Sequence, residues 1–311
     1  MITDPGGVTE TIMKFAEFEL IKPKSPSEVS RLLNDNIDSA KILAGGQSLL
    51  PLMALRLVRP ALLIDITGLD AMSEIAVNSK NLEIGALVTH RQVELFGDMP
   101  EELNAISMGM RVLGHIAIRN RGTVAGSLAH CDPHAEWPAL ILGLDGYINV
   151  EGVNGPRRIQ GSDFSLGWYT SSLLPDEIIT SIGFPLKADD GTHTTSYMSE
   201  YSLRHGDFAL AGVVVRLSAV GDRISDARCV VFGIAATAER LTFLEDYLNQ
   251  SNLSEDSTRD VGNIVKQILI ENNTHYSESM SDSYCIQYLI PNLFTDGIRA
   301  AVANLKISKN L

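Results

Sequence analysis

The sequence predicts an α+β protein in two parts, a larger unit of short strands and helices interrupted by glycine-rich loops and a smaller unit of strands closed by helices. Three observations point there. Strand, helix and strand follow one another within residues 14–68, the mark of a small α/β unit. Leu82, Ile84, Ala86 and Val88 alternate along the chain, the mark of a half-buried strand. A polar stretch, KADDGTHTT at 187–195, then separates these elements from several strands and a tail of helical character.

Taken in order, residues 1–13 read as a loose extension, and a first strand is expected from Lys14-Phe15 to about Leu20. Ser25-Pro26-Ser27-Glu28 is a capping box with proline at the first helical position, and Val29, Leu32 and Leu33 give the helix it opens one apolar face. Ile42-Leu43-Ala44 reads as a strand entering a glycine loop, and Leu62–Ile66 as the next strand. A helical region is expected over 90–114, a hairpin around Asn154-Gly155, and strands at 196–203, 208–219 and 224–235, before a mostly helical tail from about 238. The expected division is an extension (1–13), a first domain over 14–190 with subdomains at 14–68 and 69–190, and a second domain over 191–311.

Composition removes several function classes. With 45% hydrophobic and 20% charged residues, the 311-residue chain has no bias towards disorder. A net charge of −13 opposes non-specific nucleic-acid binding, which needs clustered Lys and Arg. Cys131, Cys229 and Cys285 are far apart with no CxxC pair, so this chain lacks the thiolates for an iron–sulfur cluster of its own. Few cysteines, no secretion signal and no apolar run of membrane-spanning length predict a cytoplasmic protein without a membrane span.

Two loops share one design. Leu43-Ala44-Gly45-Gly46-Gln47-Ser48-Leu49 and Gly122-Thr123-Val124-Ala125-Gly126-Ser127 each follow apolar sequence with glycines and hydroxyls, then turn apolar again. Glycine lets backbone N–H groups converge on an anion with no Cβ in the way, and hydroxyls add donors. Two such loops could clamp a pyrophosphate from both sides; tight turns would use the same residues. Neither G-x-G-x-x-G nor G-x-x-x-x-G-K-[ST] is present. Leu50 stands where a nucleophile elbow beginning at Gly46-Gln47-Ser48 would need glycine.

A competing signal lies at His130-Cys131-Asp132-Pro133-His134-Ala135-Glu136. On an extended segment His130, Asp132 and His134 would share a face and could ligate a divalent metal, which makes a metal-dependent hydrolase the rival reading. Arg204-His205-Gly206-Asp207-Phe208 reads as a turn into a buried strand.

Together, AGGQSLLPLMALRLVRP (44–60), IRNRGTVAGSLAHCDPHAEWPA (118–139) and RHGDFALAG (204–212) resemble the FAD-binding medium subunit of the molybdenum hydroxylases, the family of xanthine dehydrogenase and aerobic carbon monoxide dehydrogenase. The resemblance runs from about Phe15 to the end of the chain. It implies a two-subdomain FAD-binding fold, PCMH/vanillyl-alcohol-oxidase-like, followed by a smaller α+β C-terminal domain. It implies that 43–49 and 122–127, with Ala129, hold the FAD pyrophosphate and ribityl chain. Asp132 and Glu136 would lie near the flavin end or a ribose hydroxyl, and Ile179 against the ring system. Relatives often carry a tyrosine at the position of Met198, so the adjacent Tyr197 is a candidate ring shield. Relatives also often have Gly-Gly where this chain has Ala125-Gly126, and His-Ala in place of His130-Cys131. The implied partners are a large subunit with a molybdenum-pterin cofactor and a small subunit with [2Fe–2S] clusters, in a dimer of heterotrimers. In that role the chain is an electron-transfer subunit, with no residue acting as acid or base on the organic substrate.

Overall fold

Ser25 starts the first helix, α1 (Pro26–Asp35): its hydroxyl accepts from the Glu28 amide at 3.2 Å, and Pro26 fills the first turn, where its missing N–H costs nothing. Glu28 reaches one residue further back than a standard capping box, accepting at Oε2 from the Lys24 amide at 2.8 Å. The computed structural model describes residues 15–187, 191–253, 260–271 and 283–308, so the expected extension at 1–13 lies outside the described residues.

The first layer is a parallel sheet. α1 connects β1 (Glu19–Ile21) to β2 (Ala40–Leu43), and α2 (Leu49–Ala54) connects β2 to β3 (Leu62–Asp65), in the order β1–β3–β2. The first strand starts at Glu19, later than the sequence suggests, because only residues 19–21 find partners, at 62–64 of β3. The glycine loop at 44–48 therefore sits at the carboxyl end of β2, the edge where parallel sheets place ligands.

The second layer is antiparallel. β4 (Ile75–Val77) and β5 (Asn81–Gly85) precede a series of helices: α3 (His90–Glu94), α4 (Asn104–Val112), α5 (Ile116–Arg119), α6 (Val124–His130) and α7 (Glu136–Gly143). β6 (Tyr147–Gly152), β7 (Gly155–Gln160), the small hairpin β8 (Ser165–Gly167) and β9 (Thr170–Ser171), and β10 (Ile178–Pro185) follow. The sheet order is β4–β5–β10–β6–β7. The expected helical region over 90–114 is broken at 95–103, where Pro100 has no amide to donate and disfavours helix at the residue before it. The β6–β7 turn places Gly155 at φ +97, the conformation its Asn-Gly pair allows.

The third sheet is β11 (His193–Tyr201), β12 (Ala211–Val220), β13 (Arg223–Phe232) and β14 (Glu239–Arg240), all antiparallel. α8 (Thr242–Asn249), α9 (Val261–Glu271) and α10 (Ile290–Ser308) complete this part. Alternate residues of β12 enter different cores: Val214 joins the larger core with Trp137, Leu140 and Met198, while Val213 and Val215 join the core with Phe294 and Ile298 of α10. The sheet is thus covered on both faces, which explains why β12 is buried over nine residues, Arg216 and Ser218 among them.

Candidate functional site

The two glycine loops touch. A Cβ on Gly45 would stand 2.2 Å from the Arg121 carbonyl oxygen and 2.8 Å from Gly122 Cα, so glycine is required there by the other loop's backbone. Gly46 adopts φ +72, a left-handed turn that β-carbons disfavour. Gln47 folds back, Nε2 donating to the Gly45 carbonyl at 3.0 Å. Ser48 precedes α2 with no side-chain capping bond, and both Gln47 and Ser48 are exposed.

The second loop is held from below. Thr89 and Thr123 form a bridge, with His90 N–H donating to the Gly122 carbonyl and Val124 N–H to the Val88 carbonyl, both at 3.0 Å. Thr123 caps α6, accepting from the Gly126 amide at 3.1 Å. Gly122, Thr123 and Ala125 are buried, whereas Gly126 and Ala129, three residues apart on one helical face, are exposed, with Ser127 half-buried beside them. A Cβ on Gly126 would meet only Thr123 Oγ1 within 4 Å. Ala125 has no left-handed φ, so its methyl is accommodated without backbone strain.

A strut that sequence reasoning missed supports this loop. The His90 ring lies against Gly122, where a Cβ would come within 3.0 Å of His90 Nε2, and the Trp137 indole N–H donates to His90 Nδ1 at 3.1 Å. Burial and the nearby Arg119 guanidinium push His90 down to about 4, so the ring is neutral and can accept from Trp137. Arg119 is 8% exposed; it pairs with Glu94 at 2.9 Å and donates to the Leu113 and Gly114 carbonyls. The only sequence signal for this strut was Thr89-His90-Arg91-Gln92, which forms a capping box.

The His130–His134 segment is a helix end and a turn, and this corrects the metal-ligand reading. His130 closes α6 and Cys131 takes φ 52, a left-handed cap that destroys the extended alternation on which a shared face depended. His130 packs on the Tyr169 ring with centroids 5.3 Å apart. Asp132 Oδ1 accepts from the His134 amide at 2.9 Å, and His134 Nδ1–H donates to the Ala209 carbonyl at 2.9 Å. Among the described residues no group of three or more His, Cys, Asp or Glu could hold a metal ion. Burial raises the Cys131 thiol, which donates to the Thr170 carbonyl at 3.4 Å.

The remaining candidates separate. Ile179 is 4% exposed on β10, in the larger core beside a bulge between Ile179 and Ser181. Tyr197 points the other way: its ring packs on Gly297 of α10, where a Cβ would lie 2.9 Å from Tyr197 Cδ1. Met198 takes the opposite face and meets Gly109 of α4. The pleat therefore removes Tyr197 from the loops' side of the sheet. Burial raises Glu136 to about 8, with the charges of Glu200 and Asp132 adding to it. Glu200 was not anticipated from sequence.

These features define an FAD-binding domain joined to a flavoprotein C-terminal domain. Residues 16–187, more than half of the chain, match the family model described as the FAD binding domain in molybdopterin dehydrogenase; residues 196–275 match the CO dehydrogenase flavoprotein C-terminal domain. The nicotine 6-hydroxylase medium subunit of Paenarthrobacter nicotinovorans is 37% identical over 244 residues, covering 78% of this chain and 84% of that protein. The structure of carbon monoxide dehydrogenase from Hydrogenophaga pseudoflava is similar with a TM-score of 0.84 and 28% identity, over 94% of this chain and 99% of that one. Quinoline 2-oxidoreductase from Pseudomonas putida 86 gives a TM-score of 0.82 and 30% identity over the same shares. The chain belongs to the FAD-binding medium-subunit family of the molybdenum hydroxylases.

Proposed function

We propose that this chain is the electron-transfer subunit of a molybdenum hydroxylase complex and that its two glycine loops hold the FAD pyrophosphate. The observation that carries the reading is the backbone contact of Gly45 with Arg121 and Gly122, which sets the two loops side by side. The residues fit the group. Leu43 and Leu49 anchor the first loop to β2 and α2, while Ala44, Gly45, Gly46, Gln47 and Ser48 present backbone amides and an uncapped hydroxyl. Gly122, Thr123 and Ala125 form the floor of the second loop, and Gly126, Ser127 and Ala129 present a small-residue face outward. Asp132 and Glu136 follow on the same segment, with Ile179 beneath on β10.

Bound there, FAD supplies the one- and two-electron chemistry, and the protein supplies its position and electrostatics. The loops fix the phosphates, His90 and Trp137 hold the second loop rigid, and the outward face of α6 leaves room for the ligand. Electrons reach this subunit from [2Fe–2S] clusters in a small partner subunit and leave to an external acceptor. The three cysteines of this chain are buried and too few for a four-thiolate cluster. A large partner subunit with the molybdenum-pterin cofactor oxidises the substrate, within a dimer of heterotrimers. Among the described residues no helix is long and apolar enough to cross a membrane.

Co-expression with the partner subunits, gel filtration and identification of the released cofactor test this reading. The expected outcome is a ternary complex with one FAD per copy of this chain. A chain that purifies without flavin from an intact, iron-loaded complex would overturn it.

A further inference from the structure

Arg216 on β12 and Arg228 on β13 stand opposite each other in register, so two guanidiniums share one face of the third sheet. Like charges at opposed strand positions repel. Two aspartates answer them: Asp145, in the corner between α7 and β6, and Asp226 on β13 itself. Arg216 Nη2 donates to Asp145 Oδ2 at 2.6 Å and to Asp226 Oδ2 at 2.9 Å. Arg228 donates from Nε to Asp145 Oδ1 at 3.2 Å and from Nη1 to Asp226 Oδ1. Lys187, just past β10, brings its ammonium to 3.5 Å from Asp226 Oδ2.

With Pro185 and Leu186, these five charged residues line a cleft of about 360 Å³, a size within the range of small-molecule sites. Three cations face two carboxylates there, on a chain whose net charge is −13. All four carboxylate oxygens already accept from guanidinium groups. Glu102 stands outside the lining and accepts from the Lys187 amide at 3.1 Å. One donor is left over. Arg216 is 6% exposed, and its Nε is cut off from solvent with no hydrogen-bond partner. A buried charged donor left unmatched carries the full cost of its lost water, so the group calls for an acceptor.

We propose that this cleft binds a small oxyanion, a phosphate or a carboxylate, held by Arg216 Nε and the Lys187 ammonium. One ligand oxygen accepts from the orphaned Nε. Another meets Lys187, whose ammonium has three donors and only Asp226 as a side-chain partner. The ligand's negative charge balances the third cation. Asp145 and Lys187 belong to the FAD-binding segment at 16–187, and Arg216 and Arg228 to the C-terminal segment at 196–275. The bound anion therefore ties the two segments together. The site stands independently of the proposed FAD site.

The test is calorimetric titration of the chain purified with its partner subunits, at constant ionic strength, with inorganic phosphate in one arm and succinate in the other. Wild type should bind a single anion per copy of this chain, and the tighter of the two arms tells which oxyanion the cleft takes. Lys187→Gln alters a side chain that is 40% exposed, so the variant should fold normally and bind on the order of tenfold more weakly. Arg216→Lys keeps the charge but removes the Nε donor, and should weaken binding at least as much. Saturating anion should raise the Tm of wild type, and that rise should shrink in both variants. Arg31→Gln, exposed on α1, should match wild type in every arm. No saturable binding of either anion to wild type, or Lys187→Gln and Arg216→Lys binding as tightly as wild type, would overturn the site.

Discussion

Gly45 and Arg121 meet backbone to backbone, close enough that a β-carbon on Gly45 would stand 2.2 Å from the Arg121 carbonyl oxygen. This contact joins the carboxyl end of a parallel sheet to a loop bound to the antiparallel layer, and it forms the frame of the proposed cofactor site. The glycine thus serves the other loop first and the ligand second.

Gly45→Ala should force the loops apart. Backbone cannot yield as a flexible side chain can, so the cost is on the order of 1–3 kcal/mol, with loss of FAD retention. Gly68→Ala is the control, since a Cβ there meets nothing within 4 Å. Denaturant unfolding and the flavin-to-protein ratio check both variants, and equal behaviour of the two would contradict the account.

Ala129→Glu separates binding from folding. Ala129 is exposed on the outer face of α6, so stability should stay within about 0.5 kcal/mol of wild type. A carboxylate beside the proposed phosphate site should still strip the flavin. Full flavin occupancy in a normally folded variant would remove α6 from the cofactor site.

Trp137→Phe keeps an aromatic ring but removes the indole N–H that donates to His90. A buried imidazole nitrogen is then left without its partner, at a cost of about 1–3 kcal/mol, and the second loop loosens with it. Faster amide exchange at Gly122 and Val124 in the variant would register that loosening; unchanged protection there would dismiss the strut.

His90 also sets a pH dependence. Its folded value of about 4 lies below the ordinary 6.5, so between them the unfolded chain binds the extra proton. Stability from this group is fully present above about 6.5 and is lost as pH falls towards 4, by up to about 3 kcal/mol. His90→Gln should flatten the acid limb of the stability profile and leave the limb above pH 7 unchanged.

The sequence reading reached some features and not others, for physical reasons. Ser25-Pro26 and Asn154-Gly155 act on backbone within three residues of themselves, so short-range chemistry located α1 and the β6–β7 turn. The two glycine loops were legible as glycine-rich turns. That Gly45 is needed by the Arg121 carbonyl was not, because the partners lie some eighty residues apart and their meeting depends on how two sheets pack. A separation of 47 residues likewise hid the Trp137–His90 bond. Strand alternation correctly says that Tyr197 and Met198 oppose each other. It cannot say which face meets α10, and tertiary packing gave that face to Tyr197. The metal reading failed at a single dihedral: Cys131 is left-handed, and no composition rule marks a cysteine for that conformation.

The most direct test of the central claim is the cofactor content of the chain purified with its partner subunits. The account predicts a flavin absorption spectrum and FAD, one per chain, released on denaturation, with Gly45→Ala losing it and Gly68→Ala keeping it. A colourless wild-type chain inside an intact complex, or one whose flavin is indifferent to Gly45, would contradict it.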